Sequence, residues 1–204
     1  MNKRIVFLIG FIWWTKIFAG EFRWGSMLSN NAVSFPITGT LQNFTAMHPG
    51  VDVFLEQRLN KHSKNQFWLT YNAGIYYHRF FQTGIRLYGG FEYRRLIGTR
   101  FFLHGGLLLG YLHSLSDYDK FELNTNGTYE KIPNWYGRSQ FLIGLGLGVS
   151  YAVMKKNPDG LRVQFMLRSF LQGPFAGSYI PILPTNSLML GFTLPICKKS
   201  INSN

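Results

Sequence analysis

The chain has 204 residues, 17% of them aromatic, and a formal net charge of +12 from 21 Lys and Arg against 9 Asp and Glu. This length allows one domain of ordinary size. The single cysteine, Cys197, excludes an intramolecular disulfide framework and lies too far from the N-terminus for a lipid anchor. The basic residues are scattered singly, which favours anionic lipid headgroups over nucleic acid as a partner, and no nucleic-acid binding is predicted.

Residues 1–20 have the pattern of a secretory signal. Lys3 and Arg4 form a positive start, residues 5–14 are a short apolar stretch, and small residues follow at Ala19 and Gly20. The apolar stretch is too short to cross a bilayer as a helix, which needs about 20 residues. We therefore predict export with cleavage near Ala19 or Gly20; an uncleaved N-terminal anchor helix is the alternative.

Residues 137–154 alternate between two kinds of side chain. The odd positions from 141 to 153 are all large and apolar, whereas the even positions include Arg138, Gln140 and three glycines. In an extended strand these two sets form opposite faces. The same alternation recurs along the chain without a helix to cover the apolar face, which indicates that this face meets lipid. A soluble lipocalin-like barrel would show the reverse polarity.

Alternation of this kind occurs eight times after the signal. The predicted strands are residues 35–42, 51–58, 67–78, 85–94, 101–113, 137–154, 161–168 and 187–196. An even number of strands, each near the ~9–11 residues that cross a membrane at a tilt, predicts an all-β, eight-stranded, antiparallel up-and-down transmembrane β-barrel. The predicted divisions are a signal at 1–20, an N-terminal periplasmic segment at 21–34, the barrel at 35–196 and a polar C-terminal tail at 197–204.

The connections between these strands differ in length. Residues 59–66, 97–100 and 155–160 are short, whereas residues 114–136 and 172–186 are long. Short turns on one side and longer loops on the other are typical of the periplasmic and extracellular ends of outer-membrane barrels.

In strand pattern, strand count and loop asymmetry the chain resembles the small eight-stranded outer-membrane barrels of the OmpA-like transmembrane domain type. The resemblance covers about residues 35–196 and includes no short diagnostic motif. It implies a bacterial outer-membrane location, contacts with membrane lipids and lipopolysaccharide, and insertion by the barrel assembly machinery. Such barrels usually end on an aromatic residue, whereas here the last strand is followed by the polar tail that begins at Cys197.

Ten polar or charged side chains are predicted to face the barrel interior. They are Asp52, Glu56, Arg58, Arg86, Glu92, Arg94, His104, Arg138, Arg162 and Arg168. An eight-stranded barrel is only wide enough for side chains to fill it, and buried charges must pair. We therefore expect a salt-bridged plug rather than an ion or proton conduit. Six arginines against three carboxylates imply internal water or an anionic partner.

His113 and Ser139 suggest an enzymatic alternative. Both face outward by parity and flank the long loop, where Asp117 or Asp119 could orient the imidazole to complete a nucleophile, base and carboxylate. Some eight-stranded barrels are lipid A deacylases with His and Ser facing the bilayer in this way. Their His-x-Ser arrangement on one strand is missing here, because His113 is followed by Ser114 and Leu115. Headgroup contacts are the simpler interpretation.

The loop at 114–136 could be an adhesive or partner-binding surface, since loops this long are usually functional or disordered. The spacing of Asp117, Asp119 and Glu122 hints at calcium but lacks the glycine-centred loop of calcium sites. We predict no cofactor and no metal. The sequence favours a non-enzymatic membrane barrel with a structural or interaction role through its loops; a lipid A-modifying hydrolase and a narrow, porin-like channel are the alternatives.

Overall fold

The alternation of apolar and polar residues along the chain corresponds to a structure built from β-strands. The computed structural model describes residues 21–34, 46–79, 81–116, 120–132, 137–155, 157–175 and 181–196. Its ten strands are β1 Phe22–Ala32, β2 Pro49–Arg58, β3 Asn65–His78, β4 Gln82–Ile97, β5 Phe101–Ser116, β6 Lys120–Leu123, β7 Tyr129–Ile132, β8 Arg138–Ala152, β9 Arg162–Gly173 and β10 Leu183–Pro195. None of the described residues belongs to a helix long and apolar enough to cross a membrane.

Eight of the strands close into one antiparallel barrel in the order β1-β10-β9-β8-β5-β4-β3-β2. Closure is made by β1, which pairs with β10 from Arg23–Pro195 to Ala32–Asn186 and with β2 on its other side. The predicted fold, an eight-stranded antiparallel barrel, is confirmed. The remaining strands, β6 and β7, form a separate hairpin within the connection between β5 and β8.

The first strand of the barrel lies earlier in the chain than predicted. Residues 22–32 form β1, so the expected periplasmic segment at 21–34 is wrong and the barrel begins about thirteen residues earlier. The predicted strand at 35–42 lies outside the described residues. The alternation in β1 is weak because its outward face mixes Trp24 and Leu28 with Ser26 and Asn30. Pairing with both neighbours, rather than its own pattern, fixes this strand.

The predicted sidedness is confirmed for the other seven barrel strands. Outward apolar side chains are exposed, as in Leu145 and Leu147, which are 57% and 61% accessible. The alternate residues, such as Gln140, Leu142 and Gln164, are buried inside the barrel. The outer surface is therefore a continuous apolar belt, which is the arrangement that a lipid environment stabilises.

Side chains fill the barrel interior. Apolar clusters form around Tyr88, Leu108 and Phe170 and around Met27 and Met166, with polar residues packed between them. Inward glycines make room for these side chains. At Gly110, for example, an added Cβ would lie 2.3 Å from the Cβ of Tyr88, so only glycine fits there.

The two ends of the barrel differ. Both ends of the described chain and the short connections β2–β3, β4–β5 and β8–β9 lie at one end, which we call the turn end. The β1–β2, β5–β8 and β9–β10 connections and the short β3–β4 turn lie at the other, which we call the loop end. The two longest connections, β1–β2 and β5–β8, lie at the loop end, as predicted for 114–136, whereas the β9–β10 connection is no longer than the β8–β9 connection at the turn end. The long loop contains the β6–β7 hairpin, whose turn is ordered by hydrogen bonds to the Asn124 side chain.

Candidate functional site

A buried ion pair lies in the half of the interior nearer the loop end. Arg86 on β4 donates two hydrogen bonds to Asp52 on β2, with 2.9 Å from Nε to Oδ1 and 2.6 Å from Nη2 to Oδ2. Tyr88 donates to the same carboxylate at 2.9 Å. Nη1 of Arg86 also reaches the Ser187 hydroxyl on β10, 2.9 Å away. Because β4 and β10 are opposite strands of the barrel, this side chain crosses the lumen.

A second cluster lies in the half nearer the turn end. Arg94 on β4 binds the Glu56 carboxylate on β2, with 2.9 Å from Nη1 to Oε2, and the Glu92 carboxylate, with 2.8 Å from Nη2 to Oε2. Its guanidinium also lies 4.7 Å from the centre of the Trp68 ring, which is fully buried. The ring nitrogen Nδ1 of His104 lies 3.7 Å from Glu92. Two carboxylates thus share one arginine in a water-poor interior, an arrangement that needs further cations nearby.

Arg168 joins the two clusters. From β9 it donates at 3.0 Å to the Asn72 side chain on β3 and also to the Tyr88 hydroxyl, which is bound to Asp52. Its other nitrogen, Nη2, lies 3.5 Å from Oε1 of Glu92. Around Arg168 a single network therefore runs through most of the barrel's length.

The charges in this network balance. Three buried arginines face three buried carboxylates, namely Arg86, Arg94 and Arg168 with Asp52, Glu56 and Glu92. The central network therefore contains no excess of arginine. Two other predicted arginines, Arg58 and Arg138, lie at the barrel ends. Arg162 and Arg23 are also fully buried near the turn end, so the expectation of internal water or an anionic partner stays a prediction.

Arg58 and Arg138 occupy these end positions. Arg58 is half-buried at the turn end, where it pairs with Glu21 at 3.2 Å. Arg138 is half-buried at the loop end, where it donates to the backbone carbonyl of Phe175 and stacks over that ring at 4.6 Å. Neither joins the central network, because each sits at the terminal residue of its strand.

The turn end is closed by the β8–β9 connection. Arg162 pairs with Asp159 at 2.7 Å and lies 3.9 Å from the centre of the Phe102 ring. Arg23, which was not among the residues predicted to face the interior, is fully buried and donates to the backbone carbonyls of Asp159 and Gly160 at 2.5 and 2.6 Å. These two arginines hold the turn across the opening. Only the recognition of β1 as a strand would have placed Arg23 inside.

The structure brings His113 and Ser139 together but separates their reactive atoms by a third group. The two residues are cross-strand partners on β5 and β8. The Tyr111 hydroxyl lies between them, 3.2 Å from Nδ1 of His113 and 2.9 Å from Oγ of Ser139. A serine nucleophile needs its base within direct hydrogen-bond reach. Asp117 and Asp119 lie outside the described residues.

The described part of the interior contains one small cavity near the loop end and no group of side chains suited to a metal ion. A cavity of about 10 Å³ near the loop end, lined by Tyr76, Gln82, Arg86 and Ser187, has room for about one water molecule. Among the described residues no group of three or more His, Cys, Asp or Glu side chains is placed to hold a metal ion. The charged side chains of the central network are therefore paired with one another.

Comparison with known proteins identifies the fold. No protein-family model and no curated protein sequence matches the chain. Among solved structures, Neisserial surface protein A is 12% identical with a TM-score of 0.52, over 86% of this chain and 97% of that one. The chain has the fold of the small eight-stranded outer-membrane barrels.

Two further structures match over similar lengths. The outer membrane enzyme PagL is 12% identical with a TM-score of 0.48, over 85% of this chain and 99% of that one. Ail, the attachment invasion locus protein of Yersinia pestis, is 12% identical with a TM-score of 0.45, over 87% of this chain and 99% of that one. At this level of identity, functional conclusions depend on this chain's own residues.

Proposed function

We propose that the protein is a non-enzymatic, integral β-barrel of a bacterial outer membrane, with a plugged interior, that acts through its extracellular loops. The observation that carries this proposal is the combination of an apolar outer belt with an interior crossed by hydrogen bonds. Arg86–Ser187 and Arg168–Asn72 each join strands on opposite sides of the lumen. A barrel closed in this way is a scaffold for its ends rather than a pore.

The orientation follows from the connections. Short turns in outer-membrane barrels face the periplasm and longer loops face outward, so we assign the turn end to the periplasm and the loop end to the exterior. The predicted signal at residues 1–20, which lies outside the described residues, would supply export. Lipopolysaccharide contacts and insertion by the barrel assembly machinery belong to the same proposal.

The β6–β7 hairpin is the proposed interaction surface. Phe121, Leu123 and Tyr129 are 57%, 61% and 72% exposed, and the register pairs Phe121 with Lys131 and Leu123 with Tyr129. These four residues therefore share one face of the hairpin. Aromatic and aliphatic side chains exposed together on a protruding hairpin form the kind of patch that binds a protein or surface ligand.

An epitope inserted between Asn126 and Gly127 tests orientation and function class together. We expect antibody to label intact cells, and the purified barrel to give near-zero conductance in planar bilayers. An epitope in the β8–β9 turn after Pro158 is the matched control and should be labelled only after the outer membrane is permeabilised. The proposal would be contradicted if antibody reached the hairpin epitope only in permeabilised cells. A steady current through the wild-type barrel in planar bilayers would also contradict it.

A lipid A-modifying acyl hydrolase is the second candidate, favoured by one observation. His113 and Ser139 are paired across two strands, and Ser139 and Tyr111 are exposed on the outer surface close to the loop end. The Tyr111 hydroxyl between them makes polar headgroup binding the better use of the group. Mass spectrometry of lipid A from cells that carry the wild-type chain, His113→Ala or Ser139→Ala separates the hydrolase from a headgroup-binding site. A hydrolase would remove acyl chains in the wild type, and both substitutions would abolish that loss. We expect the lipid A of all three strains to be identical.

A further inference from the structure

Two outward glycines are not required by the barrel's own packing. An added Cβ at Gly89 would meet its nearest atom at 3.4 Å, and one at Gly105 at 3.8 Å, both ordinary contacts. Gly106, on the inward face, is different, because an added Cβ there would lie 2.7 Å from the Glu92 side chain. A glycine inside a strand weakens it and often marks a place where a ligand approaches closely.

Each of these glycines opens a hollow in the apolar belt. The first hollow, about 370 Å³, lies over Gly105 between Tyr93 and Leu147. The second, about 530 Å³, lies over Gly89 between Tyr71 and Leu109. The hollows are neighbours because Phe91 and Leu107, which are cross-strand partners, line both. Together they form one groove across β3, β4, β5 and β8.

Two arginines lie at the rim of the turn end beside this groove. Arg95 is exposed on the outward face of β4, two residues beyond Tyr93, and its side chain forms no hydrogen bond or ion pair with a described residue. Arg100 precedes β5 and donates to the Tyr151 hydroxyl at 2.8 Å. Lys61, Lys64 and Lys155 are also exposed at this end.

The carboxylates of the turn end are already paired. Glu21 binds Arg23 and Arg58, and Asp159 binds Arg162. The cations at the rim therefore present a positive ring, which attracts anionic phosphates at a membrane surface.

The two hollows lie at increasing depth from the headgroup region of the turn end. Gly105 lies five residues along β5 from Arg100, about 17 Å of strand, and Leu109 beside Gly89 lies nine residues along, about 30 Å. At a tilt of about 45° these become roughly 12 and 21 Å of depth below the headgroup region. Half of a ~30 Å hydrocarbon core is about 15 Å, so the first hollow lies within the periplasmic leaflet and the second lies about 6 Å beyond the midplane.

We infer that this groove binds one anionic phospholipid of the periplasmic leaflet, its phosphate at Arg95 and Arg100 and an acyl chain along the two hollows. A second copy of the barrel fits less well, because a face-to-face pair would bring four arginines together. This inference rests on the proposed membrane location. It adds a specific lipid partner that the apolar belt alone does not require.

Native mass spectrometry of the full mature barrel tests the inference with dioleoyl phosphatidylglycerol, and with dioleoyl phosphatidylcholine for comparison. We expect one tightly bound phosphatidylglycerol and weaker phosphatidylcholine binding. Replacing Arg95 and Arg100 by Gln should weaken phosphatidylglycerol binding by about fivefold per arginine and remove the preference. Lys61→Gln, at the neighbouring turn, is the matched control and should have a smaller effect.

Filling the groove tests the acyl-chain half of the site. Gly105→Leu with Gly89→Leu should abolish the bound lipid, and Gly105→Ala should reduce it, whereas Val163→Leu on the outward face of β9 should not. Gel mobility before and after heating shows that each variant is folded. Three results would contradict lipid binding in the groove. They are retention of lipid by the double Leu variant, equal binding of phosphatidylglycerol and phosphatidylcholine, and a dimer that the Leu substitutions dissociate. A chain that never forms a heat-modifiable barrel in vesicles would instead contradict the proposed membrane barrel itself.

Discussion

Arg168 on β9 donates a hydrogen bond to Asn72 on β3, the diametrically opposite strand, with 3.0 Å between Nη1 and Oδ1. A bond across the full width of the lumen fixes the separation of the two walls. The same guanidinium also contacts Tyr88 and Glu92 on β4, so one side chain on β9 is bonded to three residues on two other strands. The polar network inside the barrel therefore holds its walls together. Substitutions in this network should lower the free energy of unfolding without making the barrel permeable.

Glu92→Gln should destabilise the folded barrel. Glu92 lies 2.8 Å from Arg94 and 3.5 Å from Arg168, and removing its charge leaves the central network with three arginines and two carboxylates. Breaking a buried pair typically costs about 3–5 kcal/mol, which urea unfolding in detergent would measure. Conductance should stay near zero because the lumen remains filled. Glu130→Gln, on the exposed hairpin, is the control and should change little; wild-type current abolished by Glu92→Gln would favour a conduit.

Leu145→Arg should block assembly, and Gly146→Ser should be tolerated. Leu145 points outward near the middle of β8, where an arginine on the lipid face costs about 2–4 kcal/mol. An added Cβ at Gly146 would lie 3.7 Å from its nearest atom, an ordinary contact. Gly144→Ser is the sharper comparison, because a Cβ there would lie 2.5 Å from a backbone carbonyl oxygen of Ser169. The effect of each of the three substitutions is measured as the folded fraction in detergent. Equal effects of Leu145→Arg and Gly146→Ser would contradict the assignment of Leu145 to the lipid face and Gly146 to the interior.

Leu28→Arg should block assembly as well, which tests the position of β1. Leu28 is 71% exposed on the outward face of a strand bonded to β2 and β10. Val33→Arg, just past the end of β1, should leave the barrel intact. If both variants assembled equally well in vesicles, residues 22–32 would not be a membrane strand.

The purified mature protein should migrate faster on an unboiled detergent gel than after boiling. The closed barrel has no free edge, because each of its eight strands is bonded on both sides, so detergent alone does not open it. Circular dichroism of the unboiled sample should show β-structure. Identical migration in both states would contradict a closed barrel.

The sequence by itself determined the fold class, the sidedness of seven barrel strands and the difference between the two ends. These follow from local rules: alternation fixes which face is apolar, and turn length limits how strands connect. The seven matching strands, such as β4 and β8, carry a face that is almost wholly apolar, and for them the pattern was sufficient.

Tertiary structure alone decided the rest. β1 is placed by its hydrogen bonds to β2 and β10, because Ser26 and Asn30 interrupt its outward face. The balance of charge depends on which arginines reach the centre, since Arg58 and Arg138 sit at strand ends whereas Arg23 was hidden in an unrecognised strand. Likewise, parity put His113 and Ser139 on one surface, but only side-chain packing showed Tyr111 between them. Alternation is a property of one strand, whereas register, pairing and the distance between two side chains belong to the closed sheet.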